Sequence, residues 1–322
     1  MAETNSLIRA HGNVIAERLQ RPAWLATIAA GGMLFGQALL RRPEAADMSV
    51  EDRYIIRGGL AGRERLRVLA RVMHPTTAAL FDRIGIAPGM SCLDVGCGGG
   101  DVTRELARRA APAGRAVGID MDGTKLAIAR EEADGDAGLV VEYREGDVIT
   151  TEMAPEYDVV YARFLLTHMA DPEAAAARIV GGLGPGGVLI VEDIDFTGSF
   201  CHPANAAYDR YLELYTQAAW ARGVDPNIGP RLPQMLVAAG CERLGVNVVQ
   251  PAGMTPEGHE GDVKLVTPLT LENIADSAIA ADLTTRQEID GLVAELYRLA
   301  YDTTTVLAIP RIVQTWGYRP AT

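Results

Sequence analysis

The sequence predicts an α/β protein built on a doubly wound, largely parallel sheet. Three observations carry this. Between residues 90 and 191, short apolar runs alternate with amphipathic stretches, the pattern of parallel strands joined by crossover helices. The run Leu93-Asp94-Val95-Gly96-Cys97-Gly98-Gly99-Gly100 breaks an apolar strand, Met90 to Val95, into a glycine turn that opens a helix from Asp101 to Ala111. Several of the runs end in Gly or Asp, residues suited to the carboxyl ends of strands, where ligands bind in such sheets.

Glycine permits a positive φ and leaves room for a ligand against the backbone. The spacing is D-x-G-x-G-x-G, with the acid first. A dinucleotide fingerprint, G-x-G-x-x-G, would require its third glycine at position 101, which is Asp101. Carboxylates at both ends of the turn suit a cationic ligand better than a pyrophosphate. A nicotinamide-dependent dehydrogenase on a similar sheet is therefore the disfavoured rival.

Along the chain, Leu7, Ile8, Val14, Ile15 and Leu19 follow helical spacing before Pro22 interrupts, and Ala23 to Leu40 is nearly apolar between flanking arginines. A membrane span, a signal peptide and a helix covering the site or a subunit interface compete there. The third is preferred, because the run is barely long enough to span and contains Gly31-Gly32, Thr27 and Gln37. Asp52 to Ile84 reads as helix. Val117-Gly118-Ile119-Asp120 reads as a second strand, Glu145-Gly146-Asp147-Val148 as the turn after a third, and Tyr157 to Arg163 as a fourth with its exit loop. Leu183-Gly184-Pro185-Gly186-Gly187 reads as a turn feeding a fifth strand, Val188 to Val191. A helical stretch, Pro203 to Arg222, precedes a strand at Leu244 to Val249. An insertion, Gly253 to Ile309, holds helices at Leu269 to Leu283 and Glu288 to Tyr301, and Ile312 to Trp316 closes the chain as a strand.

These motifs, in this order, resemble the class I S-adenosylmethionine-dependent methyltransferases, specifically small-molecule enzymes similar to the ubiquinone and menaquinone methyltransferases, over about residues 51 to 322. The resemblance implies a Rossmann-like, seven-stranded sheet with helices on both faces, the closing strand antiparallel, a helical amino-terminal cap and a helical insertion before the last strand. It divides the chain into a helical extension (1–50), a helical cofactor cap (51–88), a methyltransferase core (89–252), a helical insertion roofing the acceptor (253–310) and the final core strand (311–322). It also implies S-adenosyl-L-methionine as cofactor. Asp94, Gly96 and Gly98 would form the glycine turn, Asp120 would hold the ribose with Met121 beside it, and Asp147 and Val148 would meet the adenine. Arg163 would line the cofactor site, and Tyr54 and Arg65 would cap the methionine end, where a hydroxyl and a guanidinium are sensible donors to a carboxylate.

Methyl transfer from a sulfonium is an in-line displacement helped mainly by positioning, and a base is required only when the acceptor must lose a proton. His168, after the fourth strand, is the base candidate, with a packing role as its alternative. Glu192, Asp193 and Asp195 leave the fifth strand near the expected acceptor position, and alternation puts Glu192 and Asp193 on opposite faces. Asp193 and Arg231 are the candidate acceptor-binding residues; Arg231 could equally cap its own turn. Asp195 with His202 lacks a third ligand, so no metal is expected.

The chain has 322 residues and a net charge of −12, which opposes a nucleic-acid substrate. The loop Ala162-Arg163-Phe164-Leu165 also lacks the Asn/Asp-Pro-Pro-Tyr signature of base-amine methyltransferases. A small-molecule acceptor is expected, with no nucleic-acid partner, no stable membrane insertion and a homodimer through the amino-terminal helices. Four cysteines without C-x-x-C spacing fit a reducing cytoplasm. A binding protein or a non-methylating enzyme on the same scaffold is the remaining alternative.

Overall fold

The computed structural model describes residues 59–133, 135–136 and 138–321. The expectations for residues 1–50, for Tyr54 and for a dimer through the amino-terminal helices lie outside these residues. The described chain opens with α1 (Gly59–Ile84). Its buried side chains, Val68, Leu69, Val72, Met73, Leu80 and Phe81, recur at helical spacing and form the stripe that packs on the rest of the molecule. Pro75 lies inside this helix, where it removes one backbone donor.

Seven strands make the main sheet: β1 (Ser91–Val95), β2 (Arg115–Asp120), β3 (Val141–Glu145), β4 (Tyr157–Arg163), β5 (Leu183–Asp195), β7 (Glu242–Val249) and β10 (Arg311–Tyr318). Their order is β3-β2-β1-β4-β5-β10-β7. Strands β1 to β5 pair in parallel, while β10 runs antiparallel to both β5 and β7. The closing strand is thus inserted between β5 and β7. Chain order reverses between β1 and β4, where β1 leads outward to β2 on one side and β4 to β5 on the other; this is the switch point at which open sheets bind ligands.

The central strand β1 is buried along Cys92, Leu93, Asp94 and Val95. Burying a leucine such as Leu93 contributes about 2 kcal/mol. Crossovers run through α2 (Asp101–Ala110), α3 (Gly123–Ala133) and α4 (Pro172–Val180). In α2 the buried residues Val102, Thr103, Leu106, Ala107 and Ala110 form one face, with Asp101 in the first turn and Arg108 and Arg109 in the last, as the helix dipole favours. Asp171 caps α4 by accepting from the Ala174 amide at 2.9 Å, with Pro172 at the first position.

Four differences from the expectations have identifiable causes. The Leu183–Gly187 run lies inside β5, where it forms a bulge between the Tyr157–Leu183 and Val159–Val188 pairs, with Gly186 at φ 79°. The stretch at 203–222 begins its helix, α5, at Ala206–Ala221, because Asn205 accepts from the Ala207 and Tyr208 amides and fixes the start. After α6 (Leu232–Ala238), the insertion's first helix, α7 (Gly258–Ala280), starts eleven residues before the expected Leu269 and runs through Pro268. A buried face that includes Val263, Val266, Leu271 and Ile274 carries it past the proline. Finally, a second sheet of three short antiparallel strands, β6 (Phe200–His202), β8 (Ala252–Gly253) and β9 (Val306–Ala308), ties the ends of the insertion together. The insertion's last helix is α8 (Arg286–Tyr301).

Candidate active site

The site grows from the end of β1. The Gly96 and Cys97 amides both donate to the Ile119 carbonyl, at 2.7 and 3.0 Å, so the turn folds onto the end of β2. Gly96, Gly98 and Gly100 all have positive φ, at 73°, 53° and 74°, which L-residues adopt rarely. A Cβ on Gly100 would lie 2.2 Å from the Tyr143 hydroxyl, whereas one on Gly98 or Gly99 would meet nothing within 4 Å. The middle of the turn is therefore open on its outer side.

Two adjoining cavities meet there. The smaller, about 120 Å³, is lined by Arg65, Asp94, Gly96, Gly98, Asp120, Arg163 and His168 among others. The larger, about 380 Å³, runs between α1, α2 and α3 and shares Gly99, Asp101, Lys125 and Arg163 with the first. Seven of the residues expected from the sequence are thus brought together: Arg65, Asp94, Gly96, Gly98, Asp120, Arg163 and His168. Met121 and Asp147 line neither cavity; Asp147 accepts from the Ile149 amide at 2.8 Å. Val148 is a buried member of the apolar core.

Asp120 accepts from the Gly98 amide on one oxygen and from the Asp122 amide on the other, both at 2.9 Å. Asp94 accepts from Thr103 Oγ1 at 2.7 Å. Burial pushes its carboxyl up to about 7, helped by Asp101 and Asp120 and opposed by Thr103 and Arg163. Arg163 donates to Asp101 Oδ2 at 2.8 Å, so an ion pair bridges the end of β4 and the start of α2 at the rim shared by the cavities. At position 101 this leaves a carboxylate where a pyrophosphate-binding turn would place a glycine.

His168 lies in a short turn after β4. Burial, with Arg65 and Lys125 nearby, drives its imidazole down to about 3, so it is neutral through the physiological range. Arg65 donates through Nε to Thr270 Oγ1 at 3.1 Å. Burial lowers its pKa, the neighbouring Tyr215 and Tyr211 oppose that, and no carboxylate of the described residues pairs with it.

The two acceptor candidates sit elsewhere. Asp193 is fully buried beneath the site, accepting from the Thr167 amide at 3.1 Å and the Ile194 amide at 2.9 Å. Burial raises its carboxyl to about 7. Glu192, on the opposite face as alternation requires, faces Thr77 and Tyr161. Arg231 lines neither cavity and is paired with Asp225 and Glu173 on the surface. Asp195 pairs with Arg311 at 2.7 Å, and no cluster of metal-ligating side chains occurs among the described residues. The sequence reading missed Lys125, Tyr161 and Phe164, which also line the smaller cavity. Tyr161 carried a usable signal, since it lies two residues before Arg163 and so shares its face of β4.

Residues 93–191 match the family described as a methyltransferase domain. Among curated proteins, the chain is 32% identical over 145 residues to the 2-phytyl-1,4-naphtoquinone methyltransferase of Thermosynechococcus vestitus, covering 45% of this chain and 61% of that protein. It is 34% identical over 116 residues to the ubiquinone biosynthesis O-methyltransferase of Pseudomonas fluorescens, covering 35% and 48%. The chain thus spans about half to three fifths of the length of these relatives. Two solved structures share the fold at a TM-score of 0.50. They are Haemonchus contortus phosphoethanolamine N-methyltransferase 2 in complex with S-adenosyl-L-methionine (18% identity, 80% of this chain, 57% of that one) and the YcgJ protein of Bacillus subtilis (12% identity, 77% and 99%). Residues 93–191 thus match a methyltransferase domain and lie within the seven-stranded sheet.

Proposed function

We propose that this chain transfers a methyl group from S-adenosyl-L-methionine to a small-molecule acceptor by in-line displacement. The observation that carries the reading is the convergence of the open glycine turn, Asp94, Asp120 and Arg65 on one cavity at the switch point of the sheet. These residues fit the donor chemically. The unobstructed outer side of Gly98 and Gly99 is a cradle without side chains, Asp120 offers acceptors for hydroxyl groups, Asp94 offers negative charge to a cation, and Arg65 offers donors to a carboxylate. The donor supplies an electrophilic methyl group already activated by positive sulfur.

The chain's own contribution is to hold the reactants in near-attack geometry and to exclude water. His168, neutral with its pKa driven to about 3, has little driving force to take a proton. Its role in this reading is to pack and orient. Leu69, Phe164 and Leu165 give the smaller cavity an apolar side, which supports an apolar or aromatic acceptor similar to those named for the quinone methyltransferases. Asp147 and Val148 are retained as the adenine side of the site, Met121 beside Asp120 at the ribose, and Tyr54 as part of the cap. The acidic balance of the chain supports a metabolite over a nucleic acid. Its four unpaired cysteines support a reducing compartment, the cytoplasm, and no helix among the described residues is long and apolar enough to cross a membrane.

Calorimetric titration with S-adenosylhomocysteine and, separately, NAD tests the reading. Binding of the first and not the second is expected; the opposite result would overturn it. Labelled methyl donor incubated with a metabolite extract then distinguishes a transferase from a binding protein, which would leave every product unlabelled.

A further inference from the structure

Phe164 follows β4 directly and stands at φ 53°, a left-handed value that L side chains adopt rarely. Its amide donates to the Glu192 carbonyl at 2.9 Å, one step beyond the Arg163–Glu192 pair of β4 and β5. The chain then bends into a tight turn, in which the His168 amide donates to the Leu165 carbonyl at 3.0 Å. Backbone strain of this kind persists only where surrounding contacts over-determine it.

Asp193 supplies such contacts. Its carboxyl is fully buried on β5. Oδ2 accepts from the Thr167 amide at 3.1 Å and Oδ1 from the Ile194 amide at 2.9 Å, with the Leu166 amide also directed at the group. Backbone N–H groups only donate, so the roles in these bonds are fixed. Thr167 Oγ1 adds a second tie by donating to the Asp225 carbonyl at 2.8 Å. The same turn walls the smaller cavity, which Phe164, Leu165 and His168 line. Leu165 lies on the glycine turn itself, since a Cβ on Gly96 would stand 3.0 Å from its Cδ1. Asp193 lines neither cavity, yet it holds the segment that does.

We propose that Asp193 is a positioning residue that latches the Phe164–His168 turn over the glycine turn and thereby sets the wall of the donor cavity; this rests on the methyl-transfer reading above for the identity of the ligand. The strain at Phe164 is the opposing force. Released from Asp193, the turn relaxes away from its left-handed start, carrying Leu165 off Gly96 and His168 toward water. Asp193 therefore shapes the site without touching the reactants.

The test is Asp193→Asn in the whole protein. The variant keeps the shape, but its amide nitrogen sets a donor against a backbone donor, so one of the two bonds is lost. Burial drives the wild-type His168 imidazole down to about 3, so its NMR signal, assigned with His168→Gln, should not titrate between about pH 5 and 8. In Asp193→Asn it should titrate near the ordinary 6.5. Calorimetric affinity for S-adenosylhomocysteine, measured below the melting transition, should fall about fivefold, the size of one net hydrogen bond. A merely structural carboxyl would lower the melting temperature and move neither readout. A folded variant in which either readout keeps its wild-type value overturns the proposal. Should the variant fail to fold, hydrogen exchange on the wild type decides: the Thr167 amide should exchange at least about a hundredfold more slowly than an open-loop amide, and free exchange overturns the latch. Wild-type protein that binds no S-adenosylhomocysteine would overturn the methyl-transfer reading instead, leaving the His168 signal and the amide exchange to judge the latch.

Discussion

Gly98 and Asp120 are joined by a single hydrogen bond in which the glycine amide donates to carboxylate Oδ2 at 2.9 Å. The bond fastens the glycine turn to the carboxyl end of β2, so the residue expected at the ribose also shapes the loop expected to cradle the rest of the ligand. Asp120→Ala removes the acceptor for both the Gly98 and Asp122 amides, at a cost of about 1–3 kcal/mol. Affinity for S-adenosylhomocysteine should fall about ten- to hundredfold, the size expected for hydrogen bonds to a charged group. Thermal melts and calorimetry on the same variant separate the two losses, and undiminished affinity in a folded variant would refute the assignment.

Neighbouring glycines should respond oppositely. Gly100→Ala places a methyl within 2.2 Å of the Tyr143 hydroxyl at a φ of 74°, and overpacking plus the left-handed backbone should cost about 2–4 kcal/mol. Gly99→Ala meets open space and should change stability by less than about 0.5 kcal/mol. Its methyl enters the rim shared by both cavities, so this variant should melt like the wild type yet bind S-adenosylhomocysteine more weakly. A Gly99→Ala protein with full affinity would show that the ligand does not approach the turn.

The pH dependence carries a sign for each buried group. His168 has its pKa lowered from 6.5 to about 3. The folded state thus binds fewer protons than the unfolded one, and stability falls as pH drops below about 6.5. Asp94 is raised from 3.8 to about 7, so its contribution is fully present below about pH 4 and is lost as pH rises through 7. Melting curves of His168→Gln should show a shallower acid-side decline than the wild type, and those of Asp94→Asn a shallower decline toward neutrality, the remainder coming from Asp193, whose carboxyl burial also raises to about 7. Ionised Asp94 also suits a cation, so donor affinity should rise between pH 6 and 8 in the wild type and not in Asp94→Asn, as titrations across that range would reveal.

Much of this site was legible because it is written locally. An apolar strand, an acid and three spaced glycines lie together between Ser91 and Gly100, and Asp120 and Arg163 each mark the end of their own strand. What escaped depends on contacts distant in sequence. Arg231 is paired with Glu173, 58 residues away, and nothing near Arg231 announces that partner. Asp193 faces the backbone of the turn after β4, a placement that alternation narrows to one face without saying what that face meets. The β6–β9–β8 sheet uses strands of two or three residues, too short for any hydrophobic period to register. Pro268 lies inside α7, whose packed face outweighs one missing hydrogen bond.

Arg65 sets stability against binding. Among the described residues its half-buried guanidinium donates through Nε to Thr270 Oγ1 and pairs with no carboxylate, and burial lowers its pKa. A partly buried cation without a carboxylate partner is costly to desolvate, and an apolar side chain of similar length removes that cost. Arg65→Met should therefore raise the melting temperature of the ligand-free protein by a few degrees, as about 1 kcal/mol does in a chain of this size. The same change removes the donors offered to the methionine carboxylate, and affinity for S-adenosylhomocysteine should drop at least tenfold. Affinity for methylthioadenosine, which lacks the amino-acid end, should hold. Parallel titrations of the two ligands check the assignment: equal losses would move Arg65 away from the carboxylate, and a lower melting temperature would mean that the guanidinium is a structural cation.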